Sequence, residues 1–553
     1  MNKIFRFFVP FMMACLSLGM IFYLVGVSSR ANASDVKPVV QRESQGELVV
    51  TTLYDLVDPD DGLCSLREAI QAANTNSTVE DCGTGNVLTD TITFSQIGIL
   101  TVTQELLTMG GGPLLINGGG NISLSGGRAV RILNVDSASL LYLDSLSFIN
   151  GSNFFGAAIS NNGTLAVDHA VFSGNQGWAG LGINNGGILT VTNSLFTGNG
   201  IAYAGAAFAN GGVMTVISST LSNNHGGYGG AIDNGGVLTL INTTISDNYA
   251  DDNGAGVNNA GSLMLIKCDI SNNSVGQGGG GIYNTADGEL TMINSKLSGN
   301  SSAYQAGAVY IQSGRVEIIE STVYSNSSGQ TAGGIMNLAS LSIINSTLSE
   351  NVAGVDGAGN GGGIMSNGTL TITNSTLSGN EALGAYGYPG LGGGIYNYGA
   401  VTINSSTLSG NSADSGGGIY HSYGSAALAN SIVANSPQGG DCWAEAAITD
   451  GGYNIDSDDS CGFDIANGSM PNSNPLLGSL RDNGGPTLTH PLFPGSPAID
   501  TGDDAQCPPT DQRSVLRPID GDWDGIAICD IGSFEYDGPP SQPFFLPLVI
   551  KSP

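Results

Sequence analysis

Positive charge is scarce in this chain. Its 553 residues hold 15 Lys and Arg against 46 Asp and Glu, a formal charge of −31. A surface of that sign repels phosphate, so nucleic acid is excluded as a partner. Histidine occurs only at the scattered positions 169, 225, 421 and 490, and no Cys-x-x-Cys spacing appears, which argues against zinc. Nucleophile elbows, phosphate loops and metal-histidine motifs are all missing. Helix signals are nearly absent. Beyond residue 33 no apolar run can span a bilayer, because the run 544–550 is short and contains Pro547. What the chain has instead is 85 glycines and 41% hydrophobic residues at a mean hydropathy of +0.09, too apolar for disorder and too glycine-rich for an average globular domain. A large, repetitive fold is expected.

Residues 1–33 read as a signal peptide: Lys3 and Arg6, an apolar run from Phe7 to Val27, then Ala31-Asn32-Ala33 before a cleavage point at Ser34. The alternative is a retained anchor, since the run is just long enough to span. Either way the protein is expected to be secreted or on a bacterial cell surface, touching the membrane only through export or anchoring. An oxidising compartment suits the remaining cysteines. Cys64 with Cys82, Cys442 with Cys461 and Cys507 with Cys529 form local couples, and Cys268 is left over.

From residue 150 to 435 an asparagine closes every unit: Asn150, Asn175, Asn199, Asn224, Asn248, Asn273, Asn300, Asn326, Asn351, Asn380, Asn411 and Asn435, at spacings of 24 to 31. Within each unit apolar residues alternate with Thr and Ser in short runs punctuated by Asn and Gly, the residues that tolerate left-handed corners. Three strands and three corners then make one triangular coil. The fold class is all-β: a right-handed parallel β-helix of about 13 three-strand coils at roughly 4.8 Å each, on the order of 60 Å long. Ile245, Ile270, Leu297, Val323, Leu348, Leu377, Leu408 and Ile432 are expected to form one interior ladder. The expected division is signal peptide 1–33, amino-terminal cap 34–100, β-helix 101–435, carboxyl-terminal cap 436–538 and Pro-containing apolar tail 539–553.

Phe172-Ser173-Gly174-Asn175, Phe196-Thr197-Gly198-Asn199 and Gly229-Gly230-Ala231-Ile232 resemble the F-x-x-N and G-G-A-I elements of polymorphic outer-membrane-protein repeats, found in β-helix adhesins. Cys64-Ser65-Leu66-Arg67-Glu68-Ala69-Ile70 resembles the signature of the CSLREA amino-terminal domain of exported bacterial proteins. Residues 474–536, with Gly495-Ser496-Pro497-Ala498-Ile499-Asp500, Asp511-Gln512-Arg513 and Cys529-Asp530-Ile531-Gly532-Ser533-Phe534-Glu535, resemble the choice-of-anchor Q domain that follows such β-helices. These resemblances imply an exported, adhesin-like protein.

A solenoid must be plugged at both ends. Ser65 and Glu68 form a capping box, and Leu66, Ala69, Ile70 and Ala73 fall on one face of a short helix that would close the amino end. Near the other end Asp520, Asp522 and Asp524 alternate before Gly525, as in the first half of a calcium loop, with Asp530 the nearest further carboxylate. Calcium is the one cofactor this suggests, against a plain solvated acidic turn.

A lyase acting on anionic sugar needs cations, and between 150 and 435 only Lys267, Lys296 and Arg315 supply them. Asp247, Asp251, Asp252 and Asp269 could pair in a glycosidase, although aspartates at turns mostly bond the backbone. Binding of a glycan or a surface protein is therefore the expected task, and catalysis is not. A carbohydrate-active enzyme on a neutral glycan, lyase or hydrolase, is the alternative, and a surface-layer component the third reading. Trp178, Tyr203, Tyr228 and Tyr304, each three or four residues past a unit asparagine, form an expected aromatic edge, with Tyr386 and Tyr388 in a longer loop nearby. A second column follows the G-x-I element: Ser160, Asn184, Ala209, Asp233, Asn258, then Tyr283, Tyr310, Met336, Met365, Tyr396 and Tyr420. Alternation turns this column outward. Either the segment after Asn435 folds back over its apolar half, or a partner docks there.

Overall fold

The computed structural model describes residues 46–538 apart from 59, 60, 87, 109 and 111, so the expected signal peptide and apolar tail lie outside the described residues. The chain divides at residues 44 and 45, and the second unit is a parallel β-solenoid. One coil shows how it is built. Ile282–Asn284, Glu289–Ile293, Lys296–Ser298 and Ser301–Ser302 follow one another around the turn. Each pairs in parallel with the next coil: Tyr283 with Tyr310, Leu290 with Val316, Leu297 with Val323, Ser301 with Ser327. Alternation sends Leu290 and Met292 inward and leaves Glu289, Thr291 and Ile293 outside.

Four faces result, here called the I-x-N, five-residue, T-x-S and short-strand faces. The short-strand face, a ten-stranded sheet from Ser152–Phe155 to Glu381–Ala382, adds to the three strands per coil that alternation alone reveals. The I-x-N face is a fourteen-stranded sheet. The other two merge where the long strands Pro113–Ser125 and Leu140–Ile149 run through their shared corner. Parallel pairing reaches outside 101–435 at both ends, from Gly46–Val50 to Ile455–Asp456.

The unit asparagines act differently from expectation. Left-handed backbone belongs to the residue before each one: Gly174, Gly198, Asn223, Asp247, Asn272, Gly299, Ser325, Glu350, Gly379 and Gly410. The asparagines from Asn175 to Asn411 are buried, and each side-chain amide up to Asn380 donates to the carbonyl of the next at 2.9 to 3.0 Å. They also bond backbone that the corner leaves unpaired, as Asn300 does with Ile270 O and Asn273 N. Asn150 and Asn435 stand one residue early, at φ 52° and 60°, in the left-handed position itself. The same slip corrects the aliphatic ladder. Leu408 pairs with Val433, while Ile432 faces the opposite way, under the carboxyl-terminal cap.

Two more polar ladders line the other corners. Asn161, Asn185, Asn210, Asn234, Asn259 and Asn284 repeat the amide pattern on the I-x-N face at 2.7 to 2.8 Å. Ile311 then interrupts it. At the corner before the T-x-S face, the serine hydroxyls of Ser295, Ser321, Ser346, Ser375 and Ser406 accept backbone N–H groups from the preceding coil. Cys268 occupies one such position, buried and unpaired, and burial pushes its thiol up to about 11.

The amino-terminal end is plugged. Helix α1, Leu66–Thr75, carries the full capping box and buries Leu66, Ala69, Ile70 and Ala73. The three expected cysteine couples are disulfides. The carboxyl-terminal segment does fold back, but onto the T-x-S face and not over the column of Tyr283 to Tyr420. Gln512 bonds Thr376, Thr347 and Thr487, while Ser533 meets Thr376 and Thr407. His490 bridges Gly478 O and Ser378. Thr347, Thr376 and Thr407 are thereby fully covered. Inside this cap Asp511, Arg513, Arg517, Asp530 and Glu535 form a buried charged knot. Arg513 pairs with Asp511 at 2.7 Å and lies over the Phe534 ring, and Arg517 stands 3.3 Å from Glu535.

Candidate functional site

The aromatic edge exists and extends further than its sequence spacing suggests. Phe154 stacks on Trp178 at 5.0 Å, Trp178 on Tyr203 at 4.8 Å, and Tyr228 meets Tyr203 edge-on at 5.3 Å. Phe154 escaped notice because Asn150 is one residue early; counted from Gly151, which pairs in the Asn175 position, it obeys the same three-residue rule. Near-parallel rings cover one another's faces, so the Trp178 stack offers solvent mainly ring edges. Free faces occur where stacking stops.

That happens one coil beyond Tyr228. The column on the I-x-N face has the expected register, Ser160 through Tyr420, and continues to Trp443. It is not a uniformly open stripe. Met336 and Tyr420 are buried, since Ala306, Ala332 and Leu338 at the neighbouring corner pack on Met336 and Glu445 accepts from the Tyr420 hydroxyl at 2.7 Å. Tyr283 stacks on Tyr310 at 4.9 Å and Tyr396 on Tyr420 at 5.3 Å. Tyr283 follows Asn258 in the column, so its amino-terminal face has no ring upon it.

Tyr283, Tyr310 and Tyr304 line a cleft of about 480 Å³ with Asn253, Gln277, Gly278, Gln305 and Gln330. Tyr304 is 53% exposed and stacks on no ring. Sequence alone placed Tyr304 on one column and Tyr283 on another; the corner between the two faces brings them together. The glutamines went unnoticed because no chemistry marks an amide at a loop until something faces it. Burial first, then the neighbouring Tyr310 and Tyr228, pushes the Tyr283 hydroxyl upward, and burial does the same at Tyr310. Both remain hydroxyl donors at neutral pH. Tyr386 and Tyr388 lie apart, strongly exposed, at the tip of the 384–389 loop beside Asp414.

None of the three repeat-region cations lines this cleft. Lys296 lies over Tyr324 and pairs with Asp269 at 3.8 Å on the T-x-S face, Arg315 pairs with Glu317, and Lys267 holds a left-handed corner. Asp251 pairs with His225 at 3.3 Å on the short-strand face, so Asp251 and Asp269 do not oppose each other across a cleft.

At the carboxyl-terminal turn the structure gathers Asp520 and Asp522 with Asp500, not with Asp530. Asp530 is wholly buried and accepts the Asp500 and Tyr536 amides inside the charged knot. Asp524 caps Ile526 N, Asp520 caps Trp523 N and Gly525 N, and Asp500 caps Gly521 N and Asp522 N. Each of these carboxylates thus holds backbone N–H groups of the acidic turn.

A family model described as a right-handed beta helix region matches residues 280–459. The chain is a right-handed parallel β-helix. No curated protein sequence matches it. Solved structures that match include PfbA, a surface adhesin of Streptococcus pneumoniae, at 10% identity over 61% of this chain and 82% of that one, with a TM-score of 0.29. Pectate lyase Pel9A matches at 14% identity over 90% of this chain and 98% of that one, with a TM-score of 0.25.

Proposed function

We propose that this is an extracellular or cell-surface β-helix protein that binds glycan, with the cleft of Tyr283, Tyr304 and Tyr310 at the centre of its binding face. The observation that carries the reading is chemical. Aromatic faces and side-chain amides, with no ionised group among the lining residues, are what a sugar's apolar ring faces and hydroxyls require. Gln305 and Gln330 make no side-chain hydrogen bond within the described residues, so their amides are available to a ligand. Three disulfides support an oxidising compartment. An enzyme of the same shape would need an acid and a base in the cleft, and raised tyrosines do not serve as the base at neutral pH.

The test is an oligosaccharide array probed with the full chain, with product analysis of every ligand bound. Tyr283→Ala with Tyr304→Ala is expected to lower affinity at least about tenfold, or about 1.4 kcal/mol, with the fold retained by circular dichroism. Replacing Trp178, Tyr203 and Tyr228 by Ala should weaken only oligomers long enough to run from the cleft onto the stack. Unchanged binding in the cleft variant sinks the proposal, and cleaved products replace it with the enzymatic reading.

A further inference from the structure

The cleft has a signed edge. Asp252 is the penultimate residue of the short strand Tyr249–Asn253, next to the lining residue Asn253, and its carboxylate receives the Gln277 amide at 3.5 Å. It also stands beside the hydroxyl of Tyr228, whose pKa it raises, ahead of burial and of Tyr203. Tyr228 in turn is close enough to Tyr283 to act on it electrostatically. Asp233 lies two places up the Tyr283 column, held by Asn258 at 2.7 Å. Asp252, bonded to the lining Gln277 and adjacent in sequence to the lining Asn253, therefore adjoins the cleft that Tyr283 walls. No Lys or Arg lines it.

We infer that the glycan carries free amines, as a deacetylated hexosamine polymer does, with an ammonium seated between the tyrosine rings and the Asp252 carboxylate. The inference rests on the glycan-binding reading of the same cleft. An ammonium gains from a ring face and from a carboxylate at once, and both gains grow as the cleft excludes water. An N-acetylated sugar offers only its apolar faces and hydroxyls here. A uronate would bring its carboxylate against Asp252 with no cation to offset it. Asp252 is thus a specificity-determining residue and the tyrosines are the platform.

Glucosamine oligomers, N-acetylglucosamine oligomers and oligogalacturonates of equal length are titrated against the full chain by calorimetry at pH 7, at low and at physiological salt. The free-amine oligomer is expected to bind at least about tenfold tighter than its N-acetylated counterpart. Asp252→Asn should abolish that preference and leave N-acetylglucosamine affinity within about twofold. Bulk attraction cannot mimic this, because the substitution changes one charge in a net −31. Equal affinity of the first two ligands, or a preference unmoved by Asp252→Asn, overturns the inference. If Tyr283→Ala with Tyr304→Ala still abolishes binding in that case, the glycan reading stands without it. Binding of oligogalacturonate overturns the charge assignment. No binding of any of the three overturns the inference, and the array alone then decides the glycan reading.

Discussion

At the scale of single residues, the corners separate two roles that composition blurs together. Gly198 at φ 63° takes the left-handed turn, and Asn199 after it spends its side chain on four partners inside the rod. The two should fail differently. Asn300→Ala strands Asn273 N, the Asn273 amide and Ile270 O within a dry corner, and is expected to cost about 3 kcal/mol or more. Gly198→Ala meets only open space near Ser173 and should cost about 1 to 2 kcal/mol, the ordinary left-handed penalty of an L residue. Urea unfolding of both variants checks the order. A glycine substitution costlier than the asparagine one would mean that the corner is held by backbone shape and not by the amide ladder.

At the scale of elements, the carboxyl-terminal cap concentrates the molecule's buried charge. Three carboxylates, Asp511, Asp530 and Glu535, share their site with two guanidiniums, Arg513 and Arg517. Burial, with Glu535 alongside and despite the Asp500 and Tyr536 amides, pushes Asp530 up to about 8. Unfolded, it titrates near 3.9. Between about pH 4 and 8 the folded cap thus holds a proton that the unfolded cap releases, so this group makes stability fall as pH rises through that window. The cap's melting temperature should decline from pH 5 to pH 8. Asp530→Asn should flatten the slope, while lowering the melting temperature at every pH because an amide NH2 cannot accept the Tyr536 N–H. An unchanged slope would place the proton elsewhere.

Much of this element-level structure was legible in the chain. Alternation set the register of the Ser160 to Tyr420 column, Ser65 and Glu68 announced α1, and local cysteine spacing announced the disulfides. The fourth face was not legible. Its strands, such as Ser301–Ser302, are as short as two residues, too brief for alternation to show. The one-residue slips at Asn150 and Asn435 arose because asparagine suits both the left-handed corner and the ladder behind it. Alternation also says which side chains face out, but not which outward face a distant segment will cover. The fold-back consequently looked like a matter for the apolar column, whereas hydrogen bonds to the Thr347, Thr376 and Thr407 hydroxyls place it on the T-x-S face. The cleft itself needed the corner that folds Tyr304 toward Tyr283.

At the scale of the whole molecule, stability in a solenoid passes from neighbour to neighbour, so a lesion stays local. Deleting residues 474–553 removes the cover from the T-x-S face at Thr347, Thr376, Thr407 and Ile432. Hydrogen exchange of the truncated chain should show lost protection in coils 345–434 and retained protection in 159–300. Loss spread evenly along the rod would show that the cap stabilises all coils at once.

The missing rung at Ile311 has a mechanical meaning. Every coil from Asn161 to Asn284 is tied to the next through its interior by an amide-to-amide bond, and opposite Ile311 the Asn284 amide turns to backbone instead, donating to Ser313 O of the next coil at 2.9 Å and to Gly288 O at 2.7 Å. A second tie lies outside: Gln312 receives the Tyr283 hydroxyl at 3.0 Å and the Thr285 hydroxyl at 2.6 Å. The joint between these two coils is therefore fastened from outside as well as from within, and the outer fastener is a tyrosine of the cleft wall. A ligand pressing on Tyr283 bears on that joint itself.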